Sequence, residues 1–308
     1  MTQTAERMSG VLAPVVTPFD AKLNPDREKL VRQCRWLLSQ NVSLAVFGTN
    51  SEANSLSVDE KIELLDTLVD AGIDPGRIVP GTGCCALPDT VRLSAHATQL
   101  GCAGTLMLPP FYYKGVSDEG LFRAYAEIIE RVGDASLKIY LYHIPPIAQV
   151  ALSVGLIERL ISRYPGTVVG IKDSSGDWNN TAQMLERGWD DFDVFVGSES
   201  FLLRNMRAGG VGCISATANV NPAAIDQLFR EWREPDAEEQ QQRLDDIRQL
   251  FMAYPMISAL KSAVGTFGND PAWYAVRPPL VPLTETQHGE LHQALLERDF
   301  AMPGLGEG

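Results

Sequence analysis

The chain has 308 residues, 45% hydrophobic and 21% charged, with a formal net charge of −13. Such a balance builds a globular protein with a sizeable core, and the acidic excess argues against a nucleic-acid partner held by a broad basic surface. No apolar run reaches the roughly 18 residues that a membrane-spanning helix needs, so no membrane partner is expected.

Residues 1–10 carry polar side chains and one Arg, with no apolar segment of signal-peptide type. They read as a short arm in front of a cytoplasmic protein. A β-branched run at 11–19 then opens a pattern of short apolar run and helical segment. The pattern recurs at 44–48, 77–83, 104–110, 138–145, 168–172, 193–198 and 212–217. Leu30, Cys34, Leu37 and Leu38 make the first helical stripe, entered through Asn24 as cap and Pro25 as first helical residue. Ile62, Leu65 and Val69 make the second, and Ser57 with Glu60 forms a capping box at its start. Eight such alternations imply a parallel sheet with right-handed crossovers, and eight strands favour closure into an α/β (β/α)8 TIM barrel. No G-x-G-x-x-G follows the first strand; Gly81-Thr82-Gly83 is too short and runs into cysteines, which argues against a dinucleotide site.

After Pro222 the strand signals stop, and 223–233, 237–253, 255–265 and 284–298 read as helices. Residues 1–233 are thus expected to form the barrel with its arm, and 234–308 a helical C-terminal extension. The charged run Glu238, Glu239, Arg243, Asp245, Asp246 and Arg248 reads as a solvated helix face. Five cysteines, an odd number without metal-site spacing, read as reduced thiols.

Barrel enzymes place their catalytic groups where strands end and βα loops begin. Lys172 ends an otherwise apolar strand of Val168, Val169, Gly170 and Ile171. It either snorkels to water or is held in the barrel mouth, where burial favours the neutral amine that attacks a carbonyl. Asp173 should point the other way. Alternation puts Tyr140 and Tyr142 on one face, either as core tyrosines or, for Tyr142, as a neighbour of Lys172 able to pass protons. His143 should then face the helices. His96, His143, His288 and His292 are scattered; only the last two share helical spacing, without an H-E-x-x-H arrangement, so no metal is expected. Gly209, Gly210 and Gly212 read as a turn feeding the eighth strand rather than a phosphate loop.

One ordered set of segments spans nearly the whole chain. It comprises Val15-Val16-Thr17-Pro18-Phe19, Gly48-Thr49-Asn50-Ser51-Glu52, Tyr142-His143-Ile144-Pro145, Gly170-Ile171-Lys172-Asp173, Gly197-Ser198-Glu199, Ile214-Ser215-Ala216-Thr217-Ala218-Asn219 and Arg277-Pro278-Pro279-Leu280. In these the chain resembles the dihydrodipicolinate synthase/N-acetylneuraminate lyase family of class I barrel enzymes. The resemblance implies Lys172 as Schiff-base lysine and Tyr142 as proton-shuttling tyrosine. Thr49 would link it to a further tyrosine, Tyr112 or alternatively Tyr113, that reaches into a neighbouring subunit's site of a homo-oligomer, dimer or tetramer. Thr49 and Asn50 match the holders of the substrate carboxylate, and Gly197 and the backbone of Ile214 match positions near the bound keto acid. The implied partners are a 2-keto acid, pyruvate, and an aldehyde, with neither metal nor organic cofactor.

Departures from the family bear on substrate. Members that make the lysine precursor usually carry Arg where this chain has Ile147, and the usual Thr or Ser and Gly of the strand-2 loop are Asn50 and Ser51. Loss of a bidentate carboxylate donor disfavours 4-hydroxy-tetrahydrodipicolinate synthesis. The expected activity is cleavage or formation of a carbon–carbon bond between pyruvate and an aldehyde. Dehydration of a 2-keto-3-deoxy sugar acid stands as the close alternative, and a non-catalytic keto-acid-binding protein as the rival from another class.

Overall fold

The computed structural model describes residues 7–306. The expected arm lies outside the described residues as far as position 6. From Arg7 the chain leads into β1 (Gly10–Ala13), and the Met8 amide donates to Tyr140 Oη at 3.3 Å, closing the barrel floor.

The further strands are β2 (Ser43–Leu44), β3 (Thr105–Met107), β4 (Ile139–His143), β5 (Val168–Asp173), β6 (Asp193–Val196) and β7 (Gly212–Ile214). They form one parallel sheet in the order β2-β1-β7-β6-β5-β4-β3. The gap between β2 and β3 is closed by parallel bridges from Leu44 to Ile78 and from Gly81 to Leu106. The run expected as a third strand at 77–83 therefore bonds to both neighbours without being a continuous ladder strand. Pro80 has no N–H to give the ladder, and a side chain at Gly81 would place its Cβ 2.1 Å from the Phe47 carbonyl oxygen. With it the sheet curls into the expected barrel.

Most strands are shorter than their apolar runs. β1 stops before Pro14 and β3 before Pro109 and Pro110, because proline cannot donate to a ladder. The apolar residues beyond, such as Val15, Val16 and Phe19, stay buried in loops.

Alternation divides the core. Leu12, Ala45, Val79, Leu106, Tyr140, Tyr142, Val169, Phe195 and Ile214 pack together inside the barrel. Ile139, Leu141, Val168 and Ile171 face outward onto the helices. β5 carries a bulge: Ile139 pairs with Val168 but Tyr140 pairs with Gly170, leaving Val169 extra. Beyond the bulge Tyr142 stands beside Lys172 and His143 beside Asp173. Gly170 permits this, since a Cβ there would lie 2.7 Å from the Tyr140 ring.

The outer helices are α1 (Arg27–Ser39), α2 (Val58–Asp70), α3 (Leu87–Gln99), α4 (Asp118–Val132), the single turn α5 (Pro145–Ala148), α6 (Val154–Arg163), α7 (Trp178–Glu186), α8 (Leu202–Arg207) and α9 (Pro222–Glu231). Asp26, not Asn24, caps α1, because its carboxylate reaches the Lys29 amide at 3.0 Å. The stripe of α2 is Lys61, Leu64, Leu65 and Leu68, with Ile62 and Val69 only half-buried, a shift of one helical step from the expected face. Its capping box is present: Ser57 Oγ accepts from the Glu60 amide at 3.1 Å, and Glu60 Oε2 accepts from the Ser57 amide at 2.8 Å. Ser57→Ala should cost about 1 kcal/mol of stability, read as a lower urea midpoint at unchanged slope.

Beyond residue 233 come α10 (Ala237–Met252), α11 (Met256–Phe267) and α12 (Glu285–Leu296). Phe251, Leu260, Leu291 and Phe300 share one apolar cluster with Leu37 and Val196, so these helices are packed onto the barrel. Among the described residues no single helix is long and apolar enough to cross a membrane.

Candidate active site

The strand ends converge on a cavity of about 350 Å³ lined by Thr49, Asn50, Tyr142, Lys172, Gly197 and Ala216. Lys172 is 2% exposed. Its Nζ donates to Tyr142 Oη at 3.2 Å and lies 4.3 Å from the centre of that ring. Among the described residues no carboxylate comes within ion-pair distance of it. Thr49 Oγ1 stands 3.1 Å from the same phenol oxygen. Amine, phenol and hydroxyl thus form one chain, with the phenol in the middle. A buried primary amine free of any carboxylate is available to condense with a carbonyl, and a phenol bonded on both sides can relay a proton.

The neighbours of this chain point away. Asp173 accepts from the Ser175 amide at 2.9 Å, Asn180 Nδ2 at 3.0 Å and Thr181 Oγ1 at 2.6 Å, which ties its carboxylate to the start of α7. His143 Nδ1 accepts from the Leu152 amide at 3.0 Å. Burial pulls this imidazole below its ordinary value while Asp173 pulls the other way, so it stays an acceptor fixing the chain after β4.

The loop carrying Thr49 and Asn50 is held from three directions. Thr17 Oγ1 donates to the Ser51 carbonyl at 2.6 Å, and Ser51 Oγ accepts from the Gly48 amide at 3.1 Å. At its far end Glu52, in the left-handed region at φ 56°, forms a fully buried ion pair with Lys261 of α11 at 2.8 Å and accepts the Arg277 amide at 2.9 Å. Burial, outweighing the attraction of Glu52, lowers the Lys261 ammonium to about 8.

The structure brings Lys172, Tyr142, Thr49, Asn50 and Gly197 to one cavity. Ile214 packs in the barrel interior and does not line it; Ala216, two residues on, does. Tyr112 and Tyr113 are largely exposed, stacked edge-to-face at 5.3 Å, and lie off the cavity wall. The two late histidines diverge, His288 to Ser262 Oγ and His292 to the Phe267 ring. Gly209 in the turn before β7 and Gly212 at the first position of that strand both have positive φ.

Sequence reasoning missed the contribution of α10. The charged run is solvated at Glu239 and Arg243, but Arg248 is not part of a solvated face: its side chain is 15% exposed and lines the cavity. Its Nη1 donates to buried Glu199 at 2.8 Å and to Ser215 Oγ at 3.3 Å, and Ser215 and Thr217 also donate to that carboxylate. Leu244, Arg248 and Phe251 fall at i, i+4 and i+7, the spacing of a buried stripe, and that was the available signal.

The chain matches the family model described as the dihydrodipicolinate synthetase family over residues 7–298. It belongs to this family. Its members are class I, Schiff-base-forming aldolases and lyases that use pyruvate, and the chain is an enzyme of that class. It is 30% identical over 288 residues to an uncharacterized DapA-like lyase of Chloroflexus aurantiacus, covering 92% of this chain and 95% of that one. The crystal structure of dihydrodipicolinate synthase from Agrobacterium tumefaciens superposes with a TM-score of 0.87 at 31% identity, covering 94% and 99%. YagE, a prophage protein of E. coli crystallised in complex with pyruvate, superposes equally well, at 0.87 with 26% identity over 96% and 99%.

Proposed function

We propose that this enzyme makes or breaks the carbon–carbon bond between pyruvate and an aldehyde through a Schiff base on Lys172. The observation that carries the reading is the buried Lys172 amine 3.2 Å from the Tyr142 phenol, itself 3.1 Å from Thr49. In the cleaving direction the amine adds to the keto carbon and water leaves, giving an iminium. Tyr142, relayed through Thr49, takes the proton of the hydroxyl two carbons away from the iminium carbon. The pair of that O–H bond becomes the aldehyde π bond, and the broken carbon–carbon pair flows into the iminium to give an enamine. Protonation of the enamine and hydrolysis release pyruvate and restore the amine. Thr49 and Asn50 receive the substrate carboxylate, with Gly197 beside the keto acid. No metal or organic cofactor enters the scheme, because the iminium is the electron sink.

Ile147, 61% exposed on the cavity rim, supports a partner other than the one used in lysine-precursor synthesis, since this loop offers no guanidinium to a second carboxylate. The exposure of Tyr112, with Tyr113 as the alternative, supports a homo-oligomer in which it completes a neighbouring site. Five free cysteines fit a reducing, cytoplasmic location. The reading is tested by adding borohydride to the protein with pyruvate. A stable adduct of pyruvate mass on the peptide containing Lys172 is expected, and its absence would remove the proposal.

A further inference from the structure

The strand ends supply only the reactive floor of the cavity. The rest of its wall comes from the short loops after β5 and β6, with Ser174, Gly176 and Ser198, and, opposite them, from the loop after β4, the turn at Phe201 and the corner where α10 meets α11 at 106°. The last three contribute Ile144, Ile147, Phe201, Met252 and Met256, carbon surfaces beside Arg248 and Tyr254, and Met252 and Ile147 are 54% and 61% exposed. Tyr254, also in the wall, turns its hydroxyl toward Glu290 at 3.5 Å. Exposed apolar side chains grouped at the mouth of a cavity are covered when an apolar group enters.

Arg248 is the cationic exception. Its Nη1 is committed to Glu199 and Ser215, while its Nε and Nη2 have no partner among the described residues. The Glu199 charge offsets that of the guanidinium, so the corner offers two oriented donors without a strong net field.

We propose that the aldehyde partner has an apolar body, aromatic or branched aliphatic, carrying one hydrogen-bond acceptor for Arg248, and is not a chain of hydroxyls. This rests on the lyase reading above. A polyol lying along Ile147, Met252 and Met256 would leave hydroxyls facing carbon, and each unpaired hydroxyl lowers affinity by about tenfold. An aromatic ring covers the same side chains and leaves Arg248 to meet its substituent. In condensation the pyruvate enamine carbon bonds to the aldehyde carbon, the carbonyl π pair moves to oxygen, and that oxygen takes a proton from Tyr142.

The test uses the full chain in two stages. Borohydride trapping with pyruvate first establishes the adduct; if none forms, the lyase reading falls and this inference with it. Condensation of pyruvate is then followed with benzaldehyde, 2-carboxybenzaldehyde and glyceraldehyde. Both aromatic aldehydes should exceed glyceraldehyde in kcat/KM by about tenfold or more. The carboxylated one should lead, and Arg248→Lys, which keeps the charge beside Glu199 but loses the fork, should erase its lead. Ile147→Asn and Met252→Gln, at exposed positions that folding tolerates, should each narrow the aromatic-to-triose ratio about fivefold. With the adduct intact, glyceraldehyde equal to or better than the aromatics overturns the apolar body. Equal rates for the two aromatics overturn the role of Arg248.

Discussion

Lys172→Ala is expected to lower kcat/KM for the preferred 2-keto acid on the order of 10⁴-fold or more, with the fold intact. Nothing else in the cavity can take over the covalent step. Tyr142 and Thr49 are hydroxyls, Asn50 is an amide, and Arg248 is held by Glu199 at 2.8 Å. Lys261, whose ammonium burial lowers to about 8, is locked to Glu52 and lines no part of this cavity. Tyr142→Phe should cost less, about 10²–10⁴-fold, the usual worth of a positioned acid–base group. It should leave borohydride trapping of pyruvate detectable, while Lys172→Ala abolishes it. Steady-state kinetics and intact-protein mass spectrometry read both results. An alanine variant that turns over at an undiminished rate would end the Schiff-base scheme for this chain.

Lys261→Met should destabilise the protein by about 3–5 kcal/mol, the largest stability effect expected from one exchange here. The methionine fills the volume, but Glu52 is left as a buried carboxylate with only the Arg277 amide to answer it. Lys261 and Arg277 also stand over Phe19, with Lys261 Nζ 4.5 Å and the Arg277 guanidinium 4.8 Å from its ring centre. Combining Lys261→Met with Glu52→Gln removes both charges and should recover more than half of the loss, since breaking a buried pair costs far more than deleting it. Urea unfolding of the two single variants and the double measures the coupling. Because Glu52 ends the turn that presents Thr49, the single variant should also lose activity before it unfolds.

The pH dependence of that pair has a definite sign. In the folded chain Lys261 titrates near 8, below its ordinary 10.5. Between those values the unfolded chain binds more protons at this group, so its contribution to stability rises with pH across the window. Below about 8 the cost of holding a buried ammonium is carried in full. Wild type should therefore show a stabilising slope from this group between about pH 8 and 10.5, and Lys261→Met should lack it.

How far the residues alone led can be judged from particular places. The alternation of strand and helix was legible because each barrel strand is buried on both faces and so reads as a continuous apolar run. Strand lengths were not, because the buried loops after β1, β3 and β7 are as apolar as the strands, and only the prolines at 14, 109 and 110 mark two of the three ends. Lys172 and Tyr142 were visible as polar residues at strand ends. Their adjacency depends on Val169 being bulged out of the ladder, and the one hint of it in that strand is Gly170. Arg248 was hidden in a run of charges in which Glu238, Glu239, Arg243 and Asp246 are solvated. The Glu52–Lys261 pair spans 209 positions, a separation that spacing along the chain does not reveal.

The amine and the phenol rise from neighbouring barrel strands, whereas Met252, Tyr254 and Met256 sit together at the bend joining two helices that follow the last βα unit. On the proposed reading, much of the choice of partner is entrusted to a stretch of chain apart from the strands that make the bond. A handful of exchanges at that elbow can redirect such a catalyst to a different molecule while its reacting groups stay where they are.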